Sequence, residues 1–375
     1  MKIWYLFLAS AVIWMTCGLS VLASEPEYGL DYEEIQDAMD EMMPKDVKIS
    51  FSDLVGELTE GKLEDVIEHL KLFLMEGIFG EMKSSKKLLL QMLGIVFVSA
   101  VFTNFSMAFS KTFIAETGFY LTYMILFTLL LTSFMAASQI ASALMGNMMK
   151  FMSAFVPVFC LAVTFTGNIQ TGIWYQQAMV MGITFLEWIL SKGVMGLIHA
   201  YVLISMVNQL SKEDMLSKCA QLTKTLADWI LKTALGVILG LNFVQSLILP
   251  AFDTLKNGWA MRVTSAVPGV GDAMGTAMQT VIGSAVLIKN GIGSAGLCIL
   301  AFLFLIPAVK MAVMALMYMA AQAVVQPVAD KRILECLHSI SDGILMLLKV
   351  EGTVFILFFL SMAMMTSASG AVFGG

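Results

Sequence analysis

Charge is scarce in this chain. Of its 375 residues only 13% are Asp, Glu, Lys or Arg, while 58% are hydrophobic; an ordinary soluble domain carries roughly 25% charged residues. A soluble fold of this length could not cover its surface with so few charges, and disordered, collagenous and disulfide-scaffold chains have different compositions again. Arginine is nearly missing, with only Arg262 and Arg332 present, so no arginine cluster exists to clamp phosphates and nothing points to a nucleic-acid partner. Histidine is limited to His69, His199 and His338, too far apart to form a ligand set by spacing. There is no H-E-x-x-H, no P-loop and no nucleophile elbow, which argues against an enzyme, and no cofactor or metal motif is present. The five cysteines, Cys17, Cys160, Cys219, Cys298 and Cys336, form no C-x-x-C. The last four fall in or beside apolar segments, where cysteine acts as a small hydrophobe.

What is present is a chain in two parts. Residues 24–87 hold 17 of the 28 acids against seven lysines; the remainder is apolar. Residues 1–23 have the form of a secretory signal peptide, with Lys2 as the positive end, an apolar run, and Val21-Leu22-Ala23 before Ser24. An uncleaved first membrane helix is the alternative, and either way residue 24 begins outside the cytoplasm. The acidic segment 24–87 is expected to form amphipathic helices. Leu63, Val66, Ile67, Leu70, Phe73 and Leu74 follow one helical stripe, and Phe51, Leu54, Val55 and Leu58 another, with Ser50 or Ser52 as N-cap. So short a segment needs the bilayer surface, the rest of the chain or a partner to pack on.

Residues 88–375 form a multi-span membrane domain, each span needing about 20 apolar residues. The expected spans are Leu88–Phe109, Gly118–Ile140, Phe151–Gly167, Ile173–Leu190, Val194–Val207, Trp229–Leu249, Gly296–Ala323 and Ile344–Met365. The fourth and fifth are either one long tilted helix or a re-entrant pair, so the fold class is all-α with about seven, or eight, transmembrane helices. Segment 251–295 is rich in glycine and is expected to be a re-entrant or interfacial helix pair, or a loop on the headgroups.

Several motifs compete for attention. Gly291-Ile292-Gly293-Ser294-Ala295-Gly296 satisfies G-x-G-x-x-G, but it leads into a membrane helix rather than a βαβ unit, so a dinucleotide site is rejected. Gly269-Val270-Gly271-Asp272, with Asp253 as a second carboxylate, resembles the G-x-G-D of intramembrane aspartyl proteases, a distant alternative. Gly236-x-x-x-Gly240 suits close helix packing. Charges at membrane depth are costly and usually face a cavity or partner. Lys310 lies one turn past the kinking Pro307, and Glu187, Lys349 and Glu351 lie near span ends, where long side chains snorkel. A self-sufficient secondary transporter using Lys310 and Glu187 is one reading of this anatomy.

From Pro268 onward the motifs come in a recognisable order: Pro268-x-x-Gly271, Thr280-Val281-Ile282, Leu287-Ile288-Lys289-Asn290-x-x-Gly293, Pro307-Ala308-x-Lys310 and Gln326-Pro327. In these the chain resembles the stage III sporulation protein AE family. The resemblance implies a membrane subunit of the channel between mother cell and forespore, a secretion-like complex that supports forespore development after engulfment. It implies residence in the mother-cell (outer forespore) membrane, and partners that include an ATPase and ring-forming proteins of the same complex, with no cofactor. It also singles out Pro268, Gly271, Lys289, Asn290, Gly293, Pro307, Lys310, Gln326 and Pro327.

Overall fold

Long apolar runs with few helix breakers have one way to satisfy their backbone in lipid, the α-helix. The computed structural model describes residues 32–42, 50–59, 112–166, 168–210, 215–264, 271–327 and 329–368, together with the helical residues Leu90, Gly94 and Phe97. The signal sequence, the stripe Leu63–Leu74 and nearly all of the expected span Leu88–Phe109 lie outside the described residues. Those described are helical throughout, without a strand: α1 (Glu33–Met42), α2 (Phe51–Thr59), α3 (Thr112–Phe165), α4 (Ile169–Leu186), α5 (Met195–Asn208), α6 (Ser217–Thr264), α7 (Gly271–Val325) and α8 (Lys331–Ala368).

Five stretches among the described residues are long and apolar enough to cross a membrane: Tyr120–Phe165, Ile169–Asn208, Ser217–Val244, Gly283–Val325 and Lys331–Ser367. The sequence divides this region into seven spans, and the difference lies in the joints. Gly118–Ile140 and Phe151–Gly167 are fused in α3, because Ala141–Lys150 contains no proline and only Gly146 as a weak interruption. The pair Ile173–Leu190 and Val194–Val207 is one helix, its break at Ser191-Lys192-Gly193 absorbed by a π-helical turn, Glu187–Val194, between α4 and α5. Segment 251–295 is helical over 251–264 and 271–295. Its ends continue α6 and α7 on either side of 265–270, and the α6 backbone runs helically through position 250.

The core is built around α8, which packs on α7, α3, α6 and α5. On α3, Phe151, Phe155 and Phe159 form an i, i+4 ladder of stacked rings with centroids 5.6 and 5.5 Å apart. These rings pack into the notch left by Gly293 and Gly296 on α7. A Cβ at Gly296 would collide with the Phe155 ring and come within 2.6 Å of Met362 Cε; one at Gly293 would lie 2.6 Å from Thr366 Oγ1 and 3.2 Å from Phe159 Cε2. Gly343 on α8 plays the same part, with Val202 and Phe134 filling its empty side. The Gly236-x-x-x-Gly240 pair is not used in this way: nothing lies within 4 Å of a Cβ at either position. Both face outward on α6 with Val237 and Leu241.

The acidic N-terminal helices pack on the rest of the chain, α1 against α3 and α2 against α7. Of the two serines available to cap α2, Ser50 does so, its Oγ accepting from the Asp53 N–H at 3.3 Å. The Phe51 N–H donates to Gln36 Oε1 at 2.8 Å, tying α2 to α1. Phe51, Ile35 and Met39 are fully buried, and the Phe51 ring meets Phe155 edge-on at 6.4 Å. The acids Glu33, Glu34 and Asp37 remain on the outer face of α1.

The glycine notch gives a direct test. Gly296→Val should destabilise the protein by about 1–3 kcal/mol through overpacking against Phe155 and Met362. Gly240→Ala, in open space, should leave stability unchanged or slightly raised. Thermal unfolding of the two variants in the same detergent would check this; equal melting temperatures would refute the packing account.

Candidate functional site

Ser339, Asp342 and Lys349 recur at three- and seven-residue spacing on α8 and so share one face, turned toward α5 and α6. On α6, Lys224 and Asp228 are four residues apart and face that row with the opposite order of signs. The Lys224 Nζ donates to Asp342 Oδ2 in a short ion pair, and further along the helices Lys349 Nζ donates to Asp228 Oδ1 at 3.3 Å. From α5 the Tyr201 hydroxyl donates to the same Asp342 Oδ2 at 3.0 Å, and Lys224 Nζ lies 5.5 Å from the Tyr201 ring centroid. Asp342 thus accepts from two elements at once, while the lysine is held over an aromatic face. Ser205 and Ser339 pair at 2.6 Å, and Asn242 Nδ2 donates to Ser361 Oγ at 2.6 Å near the other end of α8.

Other polar side chains inside the bundle clamp α3 in the same manner. The Tyr123 hydroxyl donates to the Met206 carbonyl, Tyr318 to Ser133 Oγ, and Ser138 pairs with His199 Nε2 at 2.7 Å, the imidazole lying edge-on to Phe134. Cys160, Cys298 and Cys336 are buried free thiols and Cys219 is exposed. Among the described residues no three His, Cys, Asp or Glu side chains converge as a metal site would require. His338 is exposed, and His69 lies outside the described residues. The side chains of Asp253 and Asp272 also lie outside them; their backbones belong to different helices, α6 and α7.

The residues singled out from the sequence scatter across this frame. Lys289 is fully buried and donates from Nζ to the Thr366 carbonyl at 2.9 Å, beside Gly293, whose missing side chain makes room for Thr366. These two come together; the others do not join them. Asn290 is exposed on the next face, and Gly271 is the first residue of α7. Pro307 and Lys310 are half-buried on α7, and Lys310 has no hydrogen bond or ion pair among the described residues. Gln326 and Pro327 are exposed at the α7–α8 turn, and Glu187 is exposed where the π-helical turn begins. Pro268 lies outside the described residues.

Sequence reading misses Lys224, Asp228, Tyr201 and Asp342, because it opens the spans of α6 and α8 at Trp229 and Ile344, just after three of them. The signal is present in the complementary spacings, Lys–Asp at i, i+4 on one helix and Asp–Lys at i, i+7 on another. Glu351, expected to snorkel from the end of its span, is instead 1% exposed, and neither carboxylate oxygen has a hydrogen-bond partner.

Asp342→Asn should strand Lys224 and lower stability. Loss of a charged hydrogen bond costs about 1.5–3 kcal/mol, and the lower end applies because the two side chains keep 33% and 21% of their exposure. Combining it with Lys224→Gln should cost less than the two single changes added together; strict additivity in a double-mutant cycle would show that the pair is not coupled.

A family model described as Stage III sporulation protein AE matches residues 49–369. The stage III sporulation protein AE of Bacillus subtilis (strain 168) is 24% identical over 332 residues, which cover 86% of this chain and 83% of that relative. No solved structure matches.

Proposed function

The chain belongs to the stage III sporulation protein AE family, and from that membership we propose that it is a membrane subunit of the channel joining mother cell and forespore, a secretion-like complex needed for forespore development after engulfment. That it is a multi-pass membrane protein rests on five long apolar helices, and that it serves sporulation rests on the family. The match over residues 49–369 carries the reading, since it takes in both the acidic helix α2 and every membrane helix described.

On this reading the protein sits in the mother-cell (outer forespore) membrane and acts by assembly. Its partners are an ATPase and ring-forming proteins of the same complex, and it performs no catalysis of its own. Two features support that division of labour. The serine–histidine pair of Ser138 and His199 ties α3 to α5 with the imidazole edge-on to Phe134, while α1 presents acids outward from a helix whose apolar side is already used within the chain. Such a face suits docking to a partner with basic residues.

A second reading, a self-sufficient secondary transporter, draws on Lys310 and Glu187, since charges at membrane depth commonly mark ion or substrate paths. Glu187 is exposed at the π-helical turn while Lys310 is half-buried on α7 without an ion pair among the described residues, so the two form no joint site, which favours the assembly reading.

Deletion of the gene in its host should give forespores that complete engulfment, then shrink and stall, with heat-resistant spores reduced to near background. Mild-detergent purification of the tagged protein from sporulating cells should bring down the ring-forming partners. Normal spore counts would overturn the sporulation role of this copy; a stalled mutant whose protein purifies alone would overturn the assembly role.

A further inference from the structure

Every other ionisable side chain described in the centre of α8 has a partner; Glu351 does not. Its two oxygens are sealed from solvent and make no hydrogen bond. The residues sharing its face on α8, Ile344, Leu347, Val354 and Phe358, are all buried and apolar. Burying an ionised carboxylate away from any cation or donor costs far more than burying a neutral carboxyl. A neutral carboxyl, in contrast, is an acid held in reserve inside the bundle.

Contacts on either side fix the level of Glu351. Phe304 of α7 stacks on Phe355 with centroids 4.4 Å apart, and the Ser341 hydroxyl donates to the Ala315 carbonyl at 3.4 Å. Counting along the two antiparallel helices between these contacts puts Glu351 at the level of Pro307 and Ala308. Pro307 lacks an N–H, so the Leu303 carbonyl one turn back loses its helical donor, and the helix is weakened at that level. The acid is therefore level with the proline inside α7.

We propose that Glu351 is a proton-binding site buried between α7 and α8, neutral in the packed bundle, whose ionisation loosens α7 from α8 at Pro307. The proton comes from water and returns to it. The groups that bear on the titration are few. On α7 the nearest is Lys310, three residues beyond Pro307, half-buried and without a hydrogen bond or ion pair among the described residues. On α3 the same level holds Ala141, Leu144 and Met145, with no titratable side chain before the exposed Lys150. The π-helical turn carries Glu187 and Lys192, both exposed, and α6 carries Lys232. Asp228 and Lys349 at this level are paired with each other. Lys310 is thus the cation to which an ionised Glu351 turns when α7 bends. This inference does not require the channel reading: it concerns one carboxyl group and is tested first on the isolated protein.

Glu351→Gln keeps the size and polarity of the neutral acid. The full-length variant should accumulate and melt as the wild type does; a Gln variant that fails to accumulate would mean that the charged form is needed, and would overturn the proposal. Infrared difference spectroscopy of the two purified proteins should show a protonated-carboxyl stretch in the wild type that is missing from the variant and fades reversibly as the pH is raised. No such band, or a band that never titrates while the protein stays folded, would equally overturn it. In the host, the Glu351→Gln allele should reduce heat-resistant spores to the level of the deletion strain, and wild-type counts would reduce Glu351 to a packing role. If the deletion strain itself sporulates normally, the channel reading has failed, and the spectra alone still decide whether Glu351 binds a proton.

Discussion

α8 packs against four other helices, and a polar side chain on its buried faces can find a partner only within the bundle. Lipid is as apolar as leucine, so the hydrophobic effect that drives helices together in water gives little here. Close packing and internal hydrogen bonds take its place. The arrangement around α8 reflects that constraint. Small residues admit neighbours where backbones must approach, as at Gly343 against Val202 and Phe134 and at Gly296 against Met362. Where α8 carries a polar side chain, a neighbour supplies the complement: Ser205 for Ser339, Lys224 and Tyr201 for Asp342, Asp228 for Lys349, Asn242 for Ser361.

The same constraint explains which features are legible in the sequence. Helicity is, because unbroken apolar composition leaves no other spanning structure. Helix ends are not. A charge such as Lys224 or Asp228 looks like the edge of a loop when only its own segment is considered, and becomes part of a helix–helix contact once Asp342 and Lys349 are set against it. Composition sees the cost of each charge singly; the fold cancels the charges in pairs. Glycine shows a similar split. Gly236 and Gly240 have the expected spacing and face open space, whereas Gly293 and Gly296 sit inside a nucleotide-like motif and accept the Phe155 and Phe159 rings. Spacing alone does not reveal where the complementary bulk will come from, since the phenylalanines are more than a hundred residues away.

The candidate site is legible in the same uneven way. The motifs behind the family resemblance lead to Lys289 and Gly293, which meet at Thr366, and to Pro307, which is level with Glu351. They do not lead to the α6–α8 ion pairs, which belong to no local motif. Glu187 and Lys310 stand out as charges within apolar runs, yet Glu187 faces outward and only Lys310 remains half-buried in the bundle. The acid that is buried, Glu351, reads as a snorkelling edge residue because hydropathy starts its span only seven residues earlier. α8 in fact begins at Lys331, twenty residues before it, so Glu351 stands near the middle of the helix rather than at its edge.

The order of charges on α6 and α8 does more than neutralise them. The two helices run in the same direction, with Lys224 then Asp228 on one and Asp342 then Lys349 on the other. A slide of one helical turn that carried Asp228 to Asp342 would set two carboxylates against each other. A slide the other way would bring Lys224 toward Lys349. Long apolar helices otherwise have little to prevent such slippage, because one leucine-rich surface packs almost as well as the next. A partly exposed charge pair beside an apolar interface adds little net stability but penalises every wrong register. With α6 and α8 held in register, Tyr201 can complete Asp342 from α5 and Phe355 can meet Phe304 on α7. That second contact sets Glu351 level with Pro307, so the alignment of the unpartnered acid of α8 depends on the acids that are paired.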